Sequence, residues 1–474
     1  MTIDAPPARH QNLALAVVVV GVLITAVDAT IVVLALPEIQ HTFRIGLSSV
    51  IWVIIGYLFV ITLVSTQVGR LGDLYGRATM YELGFIVFVV GSILCALAWD
   101  ERALIGFRLL QGIGGALIAA NSGAVIADTF PPHQRGRAYG FNAAGFNTGA
   151  VLGVVVGGLI VSYVSWRWIF WINVPIGIGA LVTARRVLVN RAEPTSRHLD
   201  WWGVTTIGLG LFGVLWAMVD LVTETFTVRV AATLVAGLVF LAIAGVVERR
   251  ARDPLLELSL FRVPTLTPSL LAALFQSLAN FSVLFLILMY LQGVRGLSPI
   301  HASLLLVPGY VIGGVVGPLA GRLTDRVGAV RPATAGLALQ VVTLILYAQF
   351  QAHTSLVVVA GTYVLGAIGA GLFFPANNAA VMKAAPATSF GITSGLLRTF
   401  SNVGMVFSFA LAIVVASATI PRREAFAIFV GAHALTAHEV APFLSGLHAA
   451  FYASTSLMVL AAILSASRAR RAVR

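Results

Sequence analysis

The stretch 69-GRLGDLYGRA-78 sets one aspartate and two arginines between two apolar runs almost free of charge. Each flanking run is long enough to cross the roughly 30 Å of hydrocarbon in a bilayer. The stretch is therefore a charged turn held at a membrane edge. It also recurs: 321-GRLTDRVG-328 repeats 69-GRLGDLYG-76, with Asp325 in register with Asp73 at an offset of 252 residues. A duplicated turn of this kind points to two related halves arranged about a common site, the architecture of secondary transporters.

Composition places the rest of the chain in the bilayer as well. The 474 residues are 59% hydrophobic and 10% charged, with a mean hydropathy of +0.95. A soluble chain carries about a quarter charged residues. Fourteen apolar spans are expected, from 13–36 to 448–467. The first is too long for a signal-peptide core. The net charge of +12 would suggest nucleic acid in a soluble protein, but here its distribution is topological. With the N-terminus inside, 21 of the 30 Lys and Arg fall on the inner side and seven on the outer, while Arg108 and Arg398 lie within spans. That bias puts both termini in the cytoplasm. The single cysteine, Cys95, excludes an intramolecular disulfide.

Equal six-span halves would separate the two turns by six spans, yet they are eight apart. Two spans, most simply 201–219 and 229–247, are therefore inserted between the halves. The expected fold is all-α and integral to the membrane: an N-terminal six-helix bundle over 1–190, the inserted pair with its linkers over 191–260, and a C-terminal six-helix bundle over 261–474. The inserted pair has few deep polar residues, so it is expected at the periphery, with positions such as Leu211 exposed.

These motifs carry a family resemblance. GRLGDLYGRA resembles the signature loop of the major facilitator superfamily, G-x-L-x-D-x-x-G-R, and Arg108 in 104-LIGFRLLQGIGGA-116 is similar to its fourth-helix motif R-x-x-Q-G. The stretch 27-VDATIVVLALP-37 resembles the first-helix motif of the fourteen-spanner drug:proton antiporters. Gly145, Gly149, Gly153, Gly157 and Gly158 follow their fifth-helix antiporter motif, and 166-WRWIFWINVPIG-177 is similar to the segment after it. The sequence departs from the family pattern at Val33, Leu74, Ala78 and Val154. The resemblance implies a major facilitator fold with alternating access, multidrug efflux driven by the proton motive force, and a monomer in a bacterial inner (plasma) membrane. No cofactor beyond the proton gradient is expected.

Residue chemistry supplies candidate sites. Asp28 is the only carboxylate deep within a span, roughly 12 Å from its outer end at 1.5 Å per residue. Arg108 sits at a similar depth in the fourth span, so a direct or water-bridged pair is possible. A charge at that depth is costly unless paired or hydrated. Three readings stay open: Asp28 carries the proton, the pair only orients helices, or Asp28 is a counter-ion for substrate. In the gate loops Gly69 and Gly76 permit a tight turn, and Asp73 can accept bonds from a neighbouring helix N-terminus or pair with an arginine. Asp73, Arg77, Asp325 and Arg326 are expected to latch the cytoplasmic side. The four-residue glycine spacing on helix five allows close approach and sliding. Gln111, Asn142, Asn147, Gln276, Asn280, Asn378 and Arg398 are candidate cavity-lining residues.

Other classes are excluded or disfavoured. The nine histidines lie in loops or at helix ends, which leaves no intramembrane metal site visible. No P-loop pattern occurs, so ATP is not the driving force, and no basic-aromatic run suggests nucleic acid. The expected partners are the lipid bilayer, protons and a small lipophilic or monocationic substrate. A transporter of an endogenous lipid or metabolite is the alternative, and a non-transporting receptor or membrane enzyme is disfavoured. The segment 419–447 is the longest expected outer loop.

Overall fold

The computed structural model describes residues 8–44, 47–190, 200–223, 227–251, 258–386, 389–416 and 437–471. The helices of the first part are α1 (Ala8–Phe43), α2 (Leu47–Tyr75), α3 (Arg77–Ala96), α4 (Glu101–Thr129), α5 (Arg135–Tyr163), α6 (Trp168–Trp171) and α7 (Asn173–Val187). Two more, α8 (Trp201–Thr223) and α9 (Val228–Arg250), follow. The last part holds α10 (Leu266–Met289), α11 (Pro299–Val327), α12 (Val330–Tyr347), α13 (Leu356–Ala384), α14 (Phe390–Ala416) and α15 (Ala437–Arg471). There is no strand among the described residues.

Ten helices are long and apolar enough to cross a membrane, judged on the described residues. Of the fourteen expected spans, those in α2, α5, α8 and α14 are not among the ten. Exposed apolar side chains such as Val235, Leu238 and Val239 on α9 and Val311, Val315 and Leu319 on α11 cover the outside. A solvent of lipid tails accepts such a surface.

Local chemistry sets the ends that matter. Both repeated turns close on a glycine of positive φ, Gly76 at 98° and Gly328 at 84°, a region that only glycine enters at little cost. Asn190, just beyond α7, accepts bonds from the first amides of α3, Ala78 N at 2.9 Å and Thr79 N at 3.3 Å. The rod expected at 168–187 is interrupted at Ile172, because Pro175 has no N–H to bond Trp171 four residues back. The last span starts earlier than expected. Residues 437–447, expected in the outer loop, form the first turns of α15, while 417–436 lie outside the described residues. His448 consequently sits well inside that helix, its ring 2.6 Å from the Phe350 carbonyl, rather than in a loop.

Packing gathers α1–α7 into one half and α10–α15 into the other. The halves meet chiefly where α2 lies along α14 and α5 along α11. The inserted pair packs on itself and lays α8 across the α2–α14 seam, where Trp52 meets Trp216 and Phe59 meets Phe212 at centroid distances of 4.9 and 5.5 Å. The expectation that Leu211 is exposed is overturned: it is buried with Ile207 and Ala244 against Leu63 and Val403. The face of α8 that carries Leu211 is the one turned to the seam.

Candidate functional site: a buried ion pair and two latches

Asp28 and Arg108 do meet. Arg108 Nη1 donates to Asp28 Oδ2 at 2.5 Å, while Gln111 Nε2 and Asn173 Nδ2 donate to Oδ1 at 2.8 and 3.0 Å. Arg108 also donates from Nε to the Val53 carbonyl at 3.1 Å and from Nη1 to Gln111 Oε1 at 2.6 Å. Its guanidinium lies 4.4 Å from the Tyr57 ring centre and 5.8 Å from that of Phe170. Gln111 is held in turn by a bond to Ser92 Oγ at 2.8 Å. Five helices, α1, α2, α3, α4 and α7, thus contribute to one cluster around the carboxylate, and Asp28, Gln111 and Asn173 are all 0% exposed. Gln111, expected to line a cavity, belongs instead to this closed cluster. A buried pair of this kind stands only because its remaining lone pairs and protons are satisfied. Two polar atoms at its rim, Tyr57 Oη and Asn173 Oδ1, have no hydrogen-bond partner among the described residues.

Three residues of the cluster, Asn173, Ser92 and Tyr57, are not among the candidates read from the sequence. Asn173 lies within WRWIFWINVPIG and is the first residue after the break that Pro175 imposes. A polar residue at a helix break in an apolar segment is the clue that would have found it.

The antiporter-motif glycines lie along α1 beside this cluster. A side chain at Gly145 would meet Val19, one at Gly149 would meet Leu23 and Ala26, and one at Gly153 would meet Thr30 and the Val27 carbonyl. Gly157 is buried further along α5, and Gly158 follows it in the same helix. The face is thus an internal contact of the first half, not the contact between halves. That contact uses another face of α5, from Gly136 to Thr148.

The two repeated loops form matching latches at one end of the bundle, the loop end. Asp73 Oδ1 accepts from Gly391 N and Oδ2 from Ile392 N, both at 2.8 Å, so the carboxylate of α2 caps the start of α14. Asp325 does the same for α5, accepting from Gly136 N and Arg137 N at 2.9 Å each. An anion at a helix N-terminus is favoured by the unpaired amides and the helix dipole. Glycines let the backbones touch: Gly69 abuts Gly391, and Gly136 abuts Gly321. The second latch partners form a repeat as well, since Gly391 and Gly395 follow Gly136 and Gly140 at an offset of 255.

The latches are chemically unequal. Arg77 donates to Asp73 Oδ1 from Nε at 2.9 Å and Nη2 at 2.7 Å, and from Nη1 to Asp128 at 2.5 Å. Phe390 packs against it, with Arg77 at 5.3 Å and Arg135 at 5.2 Å from the ring centre. At the second latch Ala329 stands where Arg77 would be and Lys383 where Asp128 would be. Arg326 is exposed and pairs with no carboxylate among the described residues. It lines a recess of about 270 Å³ with His133, Arg137, Arg322 and Asp325. The ion pair also has no counterpart among the described residues of the second half. The 255-residue offset that aligns α4 with α13 sets Tyr363 at the place of Arg108, and Tyr363 meets Tyr310 edge to face at 5.6 Å.

The remaining candidates divide. Gln276 is fully buried and donates to Gln340 at 3.0 Å, so it joins α10 to α12 and does not line a cavity. Asn147 lies against Gly313 at the α5–α11 contact. Asn142 is buried with Oδ1 unpartnered. Asn280, Asn378 and Arg398 are half-buried, with Asn378 bonded to its own helix at the Phe374 carbonyl, 2.9 Å away.

The description of the Major Facilitator Superfamily matches residues 18–409. The chain belongs to that superfamily. Among its relatives is a tetracenomycin C resistance and export protein of Streptomyces glaucescens, 29% identical over 94% of this chain and 89% of that protein. Another is the drug efflux pump JefA of Mycobacterium tuberculosis, 30% identical over 85% of this chain and 79% of the pump. Of solved structures, the proton:xylose symporter XylE superposes with a TM-score of 0.68 over 96% of this chain and 95% of its own, at 14% identity, a likeness of fold alone. The protein is a multi-span membrane transporter and not an enzyme.

Proposed function

We propose that this transporter couples the proton gradient to export of lipophilic compounds by alternating access. It would do so across a bacterial inner membrane, with fourteen spans and both termini in the cytoplasm. The observation that carries the reading is the Asp28 cluster: one carboxylate inside the apolar interior, held by donors from two further helices. Its side chain is the single group of the first half placed to gain and lose a proton at mid-depth. In the conformation seen, three donors from α4 and α7 occupy the carboxylate. Protonation would part it from Arg108, and the loosened α1 would slide on the glycine face of α5. The latches sit closed at the loop end, which this reading assigns to the cytoplasm, so the conformation corresponds to the one that opens outward. Relatives named for export and drug efflux support the direction of transport.

A second reading, a fixed ion pair that only orients helices, is favoured by the complete burial of Asp28. The two separate in one experiment. Cells expressing the wild type or Asp28→Asn are profiled against a panel of lipophilic drugs, and proton flux is followed in inverted vesicles from the same cells. Coupled export predicts resistance and drug-evoked proton movement in the wild type alone. Resistance equal in both would assign Asp28 to architecture.

A further inference from the structure

Most arginines in the interior have answering groups. Arg108 has Asp28, Arg77 has Asp73 and Asp128, and Arg468 is bonded by Ser269, Asn377 and Ser465. Two differ: Arg70, buried at the loop end, has an Nη2 without a partner among the described residues, and Arg398, deeper within a span and half-buried, makes neither a hydrogen bond nor an ion pair among them. It lies eight residues into α14, roughly 12 Å from the loop end at 1.5 Å per residue. An uncompensated charge at that depth is costly, so its setting asks for water or a ligand.

Helical register shows where it points. Gly391, Gly395 and Thr399 line the face of α14 on α2, the last bonded to the Thr66 hydroxyl at 2.8 Å. Ser394 faces α4 at Gly123. Arg398 is one turn beyond Ser394 on the same face, so its side chain crosses the seam into the first half. It comes within electrostatic reach of Tyr81 on α3, whose hydroxyl donates to the Val18 carbonyl at 3.3 Å.

A second helix converges on the same place. Tyr139 of α5 donates to the Gly123 carbonyl at 3.0 Å, and Asn142 is one turn beyond it, with one end of its amide buried and unpartnered. Arg398 and Asn142 therefore flank α4 one turn above Gly123, at the level of Ala119. Over residues 114–127 of α4 every side chain is buried except Ala119. Ala119 is half-buried, which leaves some space beside it, while the helix on either side is sealed.

We propose that Arg398, with Asn142 across that space, takes the acidic group of the transported molecule, so that lipophilic organic acids are substrates as monoanions. The inference rests on the reading that the seam between the halves is the transport path, and it sets an anion in place of the expected small lipophilic or monocationic substrate. Asp28 offers a cation nothing, since three protein donors already occupy it. The fork of Arg398 has no protein partner among the described residues and matches the oxygen pair of a carboxylate, and the Asn142 amide can turn its NH2 toward the same group.

Three probes of one shape separate charge from fit: 9-anthracenecarboxylate, 9-anthracenemethanol and 9-(aminomethyl)anthracene. Binding to the full chain in detergent at neutral pH is read by energy transfer from tryptophan. The wild type is expected to bind the carboxylate about tenfold or more tighter than the alcohol, and the amine most weakly. Arg398→Gln should weaken carboxylate binding by about ten- to a hundredfold and leave the alcohol unchanged. Arg398→Lys should keep part of the preference. Equal binding of the three probes by the wild type, or an unchanged carboxylate-to-alcohol ratio in Arg398→Gln, overturns the proposal. Should Arg398→Gln fail to fold, the order of the three probes on the wild type decides alone. Proton-driven export of the alcohol by a protein with no carboxylate preference would leave the export reading standing and sink this one. A carboxylate preference without proton-driven flux would do the reverse.

Discussion

Replacing Asp73 by asparagine tests the first latch where its chemistry is densest. The carboxylate accepts four bonds, two from the backbone amides that begin α14 and two from Arg77. An asparagine can place its carbonyl where Oδ1 stood, but its NH2 then faces the Ile392 amide, donor against donor. One bond, that from Ile392, is lost outright, and the other three, including both from Arg77, lose the carboxylate charge. Bonds to charged groups contribute about 1.5–3 kcal/mol each, so the closed loop end should lose about 2–4 kcal/mol relative to the open one. At about 1.4 kcal/mol per tenfold, the open form gains about thirty- to seven-hundredfold. A cysteine at Ser394, buried on the seam against Gly123, reports the opening when Cys95 is replaced by alanine. Labelling by a membrane-impermeant maleimide in inverted vesicles should accelerate by that order in Asp73→Asn. Transport should fall severely while expression and ligand binding persist. Equal labelling rates with undiminished transport would refute the latch.

The other latch should be weaker: Asp325→Asn loses bonds to two amides only, in a half-exposed setting. Its acceleration of the same label should be several-fold smaller than that of Asp73→Asn, and an equal effect would show that Arg77 adds nothing. Gly321→Val drives a side chain into the backbone of Gly136 and Arg137, so it should hold the loop end open and abolish transport at normal expression, and wild-type transport rates would exclude a closing contact there. Leu211→Ala should destabilise the protein by about 1–3 kcal/mol, less than in a water-soluble core because lipid is as apolar as leucine. Thermal unfolding in detergent reads it, and an unshifted transition would mean that α8 is not anchored on the seam.

Much of this was legible because membranes restrict the alternatives. The repeat of Asp73 at Asp325 located both latches, and the rarity of charge within spans singled out Asp28 and Arg108. The partners were harder to see. Gly391, Ile392, Gly136 and Arg137 act through backbone amides, which leave no trace in side-chain identity. The second repeat, Gly136 and Gly140 against Gly391 and Gly395, is a glycine pair in a chain holding 46 glycines. Asn173 and Asp128 reach their partners only after α7 and α4 have packed, contacts 145 and 51 residues apart in sequence. Depth along a helix follows from counting residues, but the facing direction does not. Gln111 and Gln276 therefore read as cavity residues when both turn inward, and Leu211 read as exposed when it faces the seam.

The most direct test of proton coupling through Asp28 is the release of protons when substrate is added to the detergent-solubilised protein, measured for the wild type beside Asp28→Asn. With the carboxylate as the carrier, a lipophilic substrate should displace about one proton per wild-type molecule, since the cluster holds one carboxylate. Asp28→Asn should release none while still binding substrate and permitting some downhill movement of a neutral drug. An identical proton signal from both proteins would contradict the account and move the coupling site elsewhere, to Glu82 beside Arg185 or Asp220 beside Arg229.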